Sequence, residues 1–567
     1  MPEPKETKSE RIERLKREKN PWDHLDEIRG FARQGHASIP AEWLTTYFRP
    51  WGIYTQGDGL GVVGGSGGEG RATPFFMVRI RVPNGLLTSA QVRTIAQLSS
   101  EYGNGVADLT VRQNIQLHWI RIESIPTVLE KLYSAGLSTT GACGDVTRNI
   151  TGCPLAGVHC HELADATPIV LALDKEFAGN PEFYNLPRKY KISVTACPDW
   201  CSYPEINDIG LIAARRSHQG SAELGFSLHV GGGLSTQPHL AVPLNAFIPW
   251  NRVIPVVRAI TELFRSSDVL RHSREKARLK FLFLEHGWTP ESFLAALQSR
   301  LDFPLDPAEP LEPPTRVHRD HLGVIPQKQP GLVAVGASVV RGRITPAQLT
   351  LAADLSDRFG DGHVRNTLMQ NLLLINIPEA RVPELIASLN SGGLPVDSSA
   401  FIRGTVACTG SEFCKLALTE TKSYARWLTE QLEERFPDYQ EQLRLHITGC
   451  PNSCGQHWIA DIGIEGKKIK SNGKMIDAYY FCVGGSVGQF ASIARPVGYR
   501  CPGEEVPNAI ERLLNFFHTQ RHARESLQKF LARHSNDHIR SILAGGPAEF
   551  AQRDLPAATV PHSVEDR

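Results

Sequence analysis

Four cysteines in the second half of the chain have the spacing of a cofactor site. Cys408 and Cys414 flank five residues in CTGSEFC, and Cys450 and Cys454 flank three in CPNSC. The second pair follows RLHIT, whose alternating pattern predicts a short strand over 444–448 that ends in a tight turn. Two thiolates from each of two loops can enclose an iron–sulfur cube, which takes four cysteine ligands. We therefore expect these four cysteines to hold a [4Fe–4S] cluster.

Cationic side chains recur at alternating positions of three predicted strands in the first half. Side chains of a strand point to opposite faces in turn, so every second residue shares a face. The polar faces carry Arg79 and Arg81 in FMVRIRV, Arg112 and Gln116 in DLTVRQNIQLHW taken as one strand, and Lys189 and Lys191 in RKYKISV. One such strand is typical of a solvent-exposed face, whereas three of them, with Arg148 in the loop GDVTRN, indicate an anion site. The guanidinium fork suits an anion with several carboxylates.

The chain contains an internal repeat with an offset of about 255 residues, which concerns the fold. Matching stretches are PNGLLTSAQ (83–91) with VRGRITPAQ (340–348), RQNIQL (112–117) with MQNLLL (369–374), and TACPDWC (195–201) with TGCPNSC (448–454). A Pro-rich linker, Phe303 to Pro330, separates the halves 76–320 and 330–545. We expect each half to contain a strand–helix–strand unit and a larger α/β unit. The halves should pack about a pseudo-twofold axis with the functional cleft between them.

Size and composition predict a multidomain protein without a bias toward nucleic acid. The 567 residues suffice for about three or four domains. Lys and Arg total 61 against 60 Asp and Glu, so net charge predicts neither a nucleic-acid nor a membrane partner. The mixed-charge N-terminus, MPEPKETKSERIERLKREKN, lacks the features of a targeting segment and predicts a frayed helix or tail. Eleven cysteines without a secretion signal favour cluster or metal ligation over disulfides, and the expected compartment is the cytoplasm.

These motifs together resemble the siroheme-dependent assimilatory nitrite and sulfite reductases. The resemblance runs from about Asn20 to about Leu543 and includes FMVRIRVPNG, RNITGCPLAG, NLPRKYK, CTGSEFC and CPNSC in the expected order. It implies siroheme and a [4Fe–4S] cluster that share a cysteine ligand. Electrons are expected from reduced ferredoxin, because GLGVVGGSGGEG (59–70) is no dinucleotide-binding fingerprint and predicts a mobile loop instead. A monomer is expected.

The resemblance also implies a role for individual residues. The cluster ligands would be Cys408, Cys414, Cys450 and Cys454, with Cys454 bridging to the siroheme iron; Arg79, Arg148, Lys189 and Lys191 would hold the oxyanion; and Arg112, Gln116 and Asn452 would bind the siroheme periphery. Clustered cations both attract an anion and supply protons as its oxygens leave as water.

The implied fold is α+β, the duplicated nitrite/sulfite reductase fold with two pseudo-twofold-related halves. The expected domains are an N-terminal extension and wrapping segment (1–75), two ferredoxin-like half-domains (76–140 and 330–400), a siroheme- and substrate-binding α/β domain (141–320), a cluster- and siroheme-binding α/β domain (401–545) and a C-terminal tail (546–567).

The choice between nitrite and sulfite depends on motifs that disagree. CTGSEFC, CPNSCGQ and NPEFYNLPRK resemble the nitrite enzymes, whereas the pair Lys189-x-Lys191 resembles the sulfite enzymes. A second lysine suits dianionic sulfite by an amount on the order of 1 kcal/mol. We expect nitrite to be the substrate, with sulfite as the alternative.

Two features depart from the family pattern. The first half has its own cysteines, Cys153, Cys160, Cys197 and Cys201, which either remain buried thiols left by the duplication or bind a second cluster or metal. Tyr54 and Cys143 lie where some sulfite-type members carry a covalent tyrosine–cysteine link, and this link is a hypothesis here. A structural zinc protein using the second-half cysteines is the remote alternative function, although zinc would leave the cationic strands without a role.

Overall fold

The computed structural model describes residues 6–62, 69–218, 221–315 and 318–546. Most of the C-terminal tail predicted at 546–567 lies outside these ranges, as does the centre of the glycine-rich stretch 59–70. Within them, no helix combines the length and apolar character needed to cross a membrane.

Among the described residues, nine strands lie in the first half and ten in the second. The first half contributes β1 (Ile53–Gly57), β2 (Ala72–Ile80), β3 (Leu86–Thr88), β4 (Ala107–Leu109), β5 (Ile115–Arg121), β6 (Ile192–Thr195), β7 (Ile209–His218), β8 (Ser221–Val230) and β9 (Val242–Pro249). The second half contributes β10 (Gly323–Pro326), β11 (Leu332–Ala337), β12 (Arg343–Ile344), β13 (His363–Asn366), β14 (Leu372–Pro378), β15 (Thr405–Ala407), β16 (Leu445–Thr448), β17 (Ile462–Ser471), β18 (Lys474–Val483) and β19 (Arg495–Pro502).

Helices cover the outer faces of these sheets. In the first half they are α1 (Lys8–Glu18), α2 (Leu25–Gln34), α3 (Ser89–Glu101), α4 (Ile125–Ser134), α5 (Thr167–Phe177), α6 (Val253–Arg265), α7 (Phe281–Glu285) and α8 (Pro290–Gln298). In the second half they are α9 (Pro346–Phe359), α10 (Val382–Ser391), α11 (Ala400–Gly404), α12 (Lys422–Arg435), α13 (Val506–Gln520), α14 (Leu527–Arg533) and α15 (Asn536–Leu543).

Two five-stranded sheets each take one strand from the opposite half. Their orders are β1-β2-β5-β4-β12 and β10-β11-β14-β13-β3. The borrowed strands pair antiparallel, with Arg343 of β12 opposite Asp108 of β4 and Leu87 of β3 opposite Val364 of β13. One hydrophobic core therefore joins apolar residues from both halves. The predicted α+β fold with an internal duplication is confirmed.

The repeat extends to individual backbone angles. Asn84 and its counterpart Arg341 have φ values of 55° and 58°, and Gln113 and its counterpart Gln370 have values of 61° and 62°. Non-glycine residues rarely adopt positive φ, so matched pairs at aligned positions indicate one conserved set of turns. Helices α3 and α9 also begin with matching capping boxes.

Parallel strand pairs bring the cysteine loops together. The larger sheets have the orders β6-β7-β8-β9 and β15-β16-β17-β18-β19, and β15 and β16 are parallel neighbours. Because parallel strands end at the same edge of a sheet, the loops after β15 and β16 lie side by side. In the first half, Thr151 pairs in parallel with Ser193 of β6, which places the Cys153 loop next to the loop after β6.

The prediction of one continuous strand over DLTVRQNIQLHW is wrong. The segment forms a hairpin of β4 and β5, and Gln113 in its turn has a φ of 61°. The Thr110 hydroxyl accepts hydrogen bonds from the backbone N–H groups of Arg112 and Asn114, which closes the turn. Arg112 therefore projects from a turn and not from the face of a strand.

The prediction of a frayed N-terminal helix or tail is also wrong. Thr7 caps α1 with a capping box, and the helix packs against the first half. Lys16 is buried and donates to the carbonyl of Leu186 at 2.8 Å and to Glu13, which also accepts from Arg271 at 2.7 Å. This ion pairing holds the N-terminal segment on the protein.

Candidate cofactor and anion site

Cys408, Cys414, Cys450 and Cys454, together called the cluster cage below, lie on the two adjacent loops after β15 and β16. The N–H of Gly449 donates to the Cys408 sulfur at 3.2 Å, and the N–H of Cys414 donates to the carbonyl of Gly410 at 2.9 Å. The first three cysteines are buried or half-buried, whereas Cys454 is exposed. Cys454 is thus the member of the cage that faces the opening.

Close backbone packing requires glycine and unusual turns around the cage. A Cβ atom on Gly455 would lie 2.2 Å from the carbonyl oxygen of Ile447, so no other residue fits there. Ser453 and Gln456, on either side, have φ values of 54° and 61°. Strained backbone of this kind is common where a loop must aim a functional side chain, here Cys454.

The thiols of the cage affect each other's protonation. Burial, and then the nearby Cys454, raise the pKa of Cys414 to about 12. The same two causes, in the same order, raise the pKa of Cys408 and that of Cys450. Several thiolates close together repel one another, so the set needs a bound cation to hold all four deprotonated.

First-half backbone covers the loop that carries Cys414. The N–H of Gly57 donates to the carbonyl of Phe413 at 3.0 Å, and the N–H of Val62 donates to the carbonyl of Ala417 at 2.9 Å. Lys415 pairs with Glu69 at 2.8 Å. The described ends of the glycine-rich stretch are therefore fixed to the loop that carries Cys414, while the centre of the predicted mobile loop lies outside the described residues.

Arg79 connects the first-half sheet to the cage. Arg79 and Gln116 are paired neighbours on β2 and β5. With its amide oxygen toward Arg79, Gln116 accepts from the Nε and Nη2 atoms at 3.1 and 2.5 Å and donates to the Thr409 hydroxyl at 3.1 Å. The Nη1 atom of Arg79 donates to the Cys143 sulfur at 3.0 Å. The structure thus brings Arg79 and Gln116 next to the loop of Cys408.

Lys189 and Lys191 lie together at the start of β6, on either side of the fully buried Tyr190. Burial, and then Arg188, lower the pKa of Lys189 to about 7, while Cys454 acts in the opposite direction. Burial, and then Arg278, lower the pKa of Lys191 well below its usual value. Among the described residues neither ammonium group has a hydrogen-bond or ion-pair acceptor, so both remain available to an anion.

The influence of Cys454 on Lys189 is the observation that joins the two predicted sites. The two residues come from different halves and lie far apart in sequence, yet their charges interact across one cleft. The hydrogen bond between Gln116 and Thr409 at 3.1 Å also joins the two halves beside this cleft.

Arg112 and Arg148 reach the cleft from loops. Arg112 donates to Asn207 Oδ1 at 2.7 Å and to the carbonyl of Asn149 at 2.5 Å, while its buried Nε has no partner among the described residues. Burial, and then Arg148, lower the pKa of Arg112 to about 9. Arg148 donates to the carbonyl of Gly144 at 3.0 Å. Both guanidinium groups are thus held in place by backbone and side-chain acceptors.

Arg148 also lines a small cavity beneath the N-terminal helix. The cavity has a volume of about 40 Å³, and Lys16, Arg49, Tyr54 and Arg188 also line it. The Arg49 guanidinium lies over the Tyr54 ring at 5.5 Å. The cationic character of the cleft therefore continues behind Arg148.

Arg81 does not join the anion site, although it shares the predicted strand face with Arg79. Its guanidinium is buried and pairs with Asp174, and it also donates to the carbonyl of Thr147 at 3.1 Å. A carboxylate already neutralises this arginine, so its role is to join β2 to α5. The alternation of side chains along the strand gives no information on Asp174, the acidic partner of Arg81.

Two family models match almost the whole chain. The nitrite and sulphite reductase 4Fe-4S domain matches residues 143–305 and 398–546, and the nitrite/sulfite reductase ferredoxin-like half domain matches 69–135 and 325–392. The chain belongs to the nitrite and sulfite reductase family. It is therefore an oxidoreductase, which excludes the remote alternative of a non-catalytic zinc protein.

A nitrite reductase and a sulfite reductase match this chain at the same sequence identity. The assimilatory ferredoxin-dependent nitrite reductase of Haloferax mediterranei is 37% identical over 91% of this chain and 90% of its own. The ferredoxin sulfite reductase of Mycobacterium tuberculosis is 37% identical over 93% and 95%. The solved structure of Mycobacterium tuberculosis NirA has a TM-score of 0.88 at 36% identity and covers 93% of this chain and 97% of that one.

The cofactors predicted for this reductase, a [4Fe–4S] cluster and siroheme, are those of its family. The cage fits a cube because it brings four cysteines together on two adjacent loops, where the charge of Cys454 reaches the other three. Each thiolate of a cube binds a different iron, so its sulfurs stand further apart than those around a single ion. The partnerless Nε of Arg112 and the available ammonium groups fit the carboxylates of a large anionic macrocycle.

Sequence reasoning missed a second layer of charge behind the lysines. Arg278 is buried and pairs bidentately with Asp208 at 3.0 and 2.8 Å, and the Asp208 carboxylate also accepts from the N–H of Lys191. Lys280 donates to the carbonyl of Leu234 at 2.9 Å, and burial, followed by Arg278, lowers its pKa to about 7. The signal was the basic run REKARLK (274–280), which sequence analysis left without a role.

The first-half cysteines do not form a quartet. Cys153, Cys197 and Cys201 are buried together, whereas Cys160 is exposed and donates to the carbonyl of Pro326 at 3.1 Å. Cys143 contacts Arg79 through its sulfur, and its predicted link to Tyr54 stays a prediction.

Proposed function

We propose that this protein catalyses the six-electron reduction of nitrite to ammonia with reduced ferredoxin as the electron donor. In this reaction nitrite, six electrons and eight protons yield ammonium and two water molecules. The observation that carries the proposal is the hydrogen-bond chain from Arg79 through Gln116 to Thr409, which joins the cationic first-half sheet to the loop of Cys408. A thiolate cage for a cluster thus lies against a cationic face for an anion.

We assign the residues of the cleft to three tasks. The cage would hold the [4Fe–4S] cluster, and its exposed member Cys454 would also hold the siroheme. Arg112, Gln116 and Asn452 would hold the siroheme periphery, and Arg79, Arg148, Lys189 and Lys191 would hold the oxyanion. When bound, the two cofactors supply the electrons to the substrate.

The cationic side chains would bind the anion and deliver protons to it. Lys189 is suited to donate protons because burial lowers its pKa to about 7. A general acid is most effective when its pKa lies near the pH at which the enzyme works. The hydrogen bonds of Arg79 to Gln116 and Cys143 would fix the orientation of its guanidinium toward the substrate.

Sulfite is the second candidate substrate, and one observation favours it. Lys191 places a second ammonium group beside Lys189, and neither group has an acceptor among the described residues. Two cations suit a dianion better than a monoanion, by an amount on the order of 1 kcal/mol. The relatives support either substrate, since their printed names include both nitrite and sulfite reductases.

We propose ferredoxin as the donor because relatives of both types are named as ferredoxin-dependent and because the sequence has no dinucleotide-binding fingerprint. The protein is proposed to act as a cytoplasmic monomer without nucleic-acid or membrane partners. The domain boundaries given above for the sequence are proposed as its functional division.

Anaerobic steady-state turnover tests the proposal. The enzyme would be loaded with both cofactors and supplied with chemically reduced ferredoxin or methyl viologen, and kcat/KM would be compared for nitrite and sulfite. A higher value for nitrite with ammonium as product supports the proposal, and a higher value for sulfite with sulfide as product favours the second candidate. Failure to reduce either anion would overturn both.

A further inference from the structure

Three thiols and one imidazole meet in the first half, away from the cluster cage. The ligand atoms of Cys153, Cys201 and His321 all lie within 4.8 Å of one another, and the three residues are buried. The His321 Nε2 atom is 3.3 Å from the Cys201 sulfur. His321 comes from the linker, about 120 residues from Cys201 along the chain. The arrangement therefore depends on tertiary structure and not on one local loop.

Cys197 adds a fourth donor to this group. The Cys201 N–H donates to the Cys197 sulfur at 3.5 Å, and the Thr195 hydroxyl lies 3.3 Å from that sulfur. Cys197 is buried in the same small cluster as Cys153 and Cys201. It lies outside the group whose atoms are all within 4.8 Å, so binding one ion requires a small movement of this side chain.

The position of His321 is fixed by its backbone. Its φ is 56°, a left-handed value that non-glycine residues adopt only where the surrounding structure requires it. A Cβ atom on Gly336 of β11 would lie 1.8 Å from the His321 carbonyl oxygen, so the strand packs directly on the His321 backbone. The second-half sheet thus holds this imidazole against the first-half thiols.

Positive charge surrounds the group. Arg365 is buried and donates to the carbonyls of Pro154 and Ala156 at 2.8 and 2.7 Å, and it interacts electrostatically with Cys153. Arg319 donates to the carbonyl of Trp200 at 2.7 Å and acts electrostatically on Cys201. Three thiolates and a neutral imidazole around a divalent ion leave a net negative charge. Arg365 would offset it, whereas Arg319 already lies 3.5 Å from the Glu205 carboxylate.

We propose that Cys153, Cys197, Cys201 and His321 bind a zinc ion that ties the first-half loops to the linker and the second-half sheet. Three sulfurs and one nitrogen form a closed tetrahedral donor set, the type found in structural zinc sites. Atoms this close together suit a single ion, whereas a second iron–sulfur cube would need its sulfurs further apart. This group is called the linker zinc site below.

Metal analysis of the cofactor-loaded, untagged enzyme tests the proposal. Zinc should be present at about one ion per chain after dialysis against a weak chelator, in addition to the iron of the cofactors. X-ray absorption at the zinc edge should give sulfur neighbours at about 2.3 Å and a nitrogen neighbour at about 2.0–2.1 Å. X-ray absorption at the zinc edge detects zinc without a contribution from iron, and it does not depend on the activity of the enzyme.

Variants separate this site from accidental zinc binding. Cys201→Ser and His321→Gln should each lose the zinc while keeping the visible absorption of siroheme. Cys160→Ser is the matched control, because its exposed sulfur lies in the same loop region but outside the group, and it should keep the zinc. If Cys201→Ser does not fold, His321→Gln still tests the site, since this variant should lose the zinc as well.

Three results would overturn the proposal. The first is a cofactor-loaded enzyme without zinc, and the second is zinc that remains in both His321→Gln and Cys201→Ser. The third is a disulfide between two of the three cysteines in intact protein, detected by a mass two hydrogens lower under non-reducing conditions.

Discussion

The two cysteine clusters start from the same local pattern and reach different chemistry. TACPDWC (195–201) follows β6, and TGCPNSC (448–454) follows β16. The turns also match, since Trp200 and its counterpart Ser453 have φ values of 49° and 54°. In the second half Cys454 is exposed on a cationic cleft, whereas in the first half Cys201 is buried against His321. The same backbone turn thus supports an open redox site in the second half and a closed, buried site in the first half.

The two clusters differ in the residue that occupies the fourth ligand position. In the second half the N–H of Cys414 bonds to the carbonyl of Gly410, a turn that directs Cys414 back into the cage. In the first half the cysteine at the comparable place, Cys160, is one residue further along and lies at the surface. His321 of the linker lies beside the buried thiols instead. A duplicated ligand set can therefore change its role through the position of one ligand.

Serine at the two equivalent positions should have opposite consequences for catalysis. Cys454→Ser is expected to lower turnover by more than ~100-fold. Removing a direct cofactor ligand should reduce activity more than removing a side chain that only hydrogen-bonds to a ligand. Cys201→Ser is expected to keep turnover within about threefold, because the site it removes is structural. Steady-state rates and iron content measure both, with Cys482→Ser as a buried cysteine control outside both clusters. Equal losses in the two variants would contradict the division of roles.

Loss of the linker zinc site should also lower the thermal stability of the protein. Cys201→Ser is expected to lower the apparent Tm by about 5 °C, since losing roughly 2–3 kcal/mol shifts a large domain by about 2 °C per kcal/mol. Differential scanning calorimetry of the zinc-containing wild type, Cys201→Ser and Cys160→Ser measures the shift. A Tm lowered equally in Cys160→Ser would argue against a special role for the linker zinc site.

Lys191 should sharpen the contrast in substrate charge. Lys191→Asn is expected to reduce kcat/KM for sulfite about fivefold more than for nitrite, since a difference on the order of 1 kcal/mol separates the dianion from the monoanion. Lys468→Asn, which removes a lysine paired with Asp477 far along β17, is the charge-matched control. Equal losses for both anions would refute this account of Lys191.

Lys189 should give the cleft a pH dependence. With a pKa of about 7 it is mostly protonated at pH 6 and mostly neutral at pH 8, so a positive charge is lost as the pH rises. The KM for nitrite is expected to rise about threefold over this range, since the remaining cations still attract the anion. Lys189→Arg keeps its charge and should show a flatter profile. An unchanged slope in this variant would assign the effect to another group.

Local patterns were sufficient to predict the cage. Each of its cysteine pairs is contiguous in sequence, and the strand before Cys450 could be read from its alternation. The hairpin turn at Gln113 was missed because the apolar alternation continues through it, whereas the Thr110 hydroxyl determines the chain reversal. The pairing of Arg81 with Asp174 and the approach of His321 to Cys201 are contacts over 93 and 120 residues, for which no local signal exists.

The exchange of β3 and β12 between the halves has a consequence for biosynthesis. A nascent chain cannot complete its first five-stranded sheet until Ile344 has left the ribosome, and β3 must wait for β13 before it pairs. Neither half is therefore an independent folding unit, and a product truncated at the linker would expose unpaired strand edges. Cofactor insertion must then follow synthesis of the chain through Cys454, the last residue of the cage, so the redox centre cannot assemble on the first half alone.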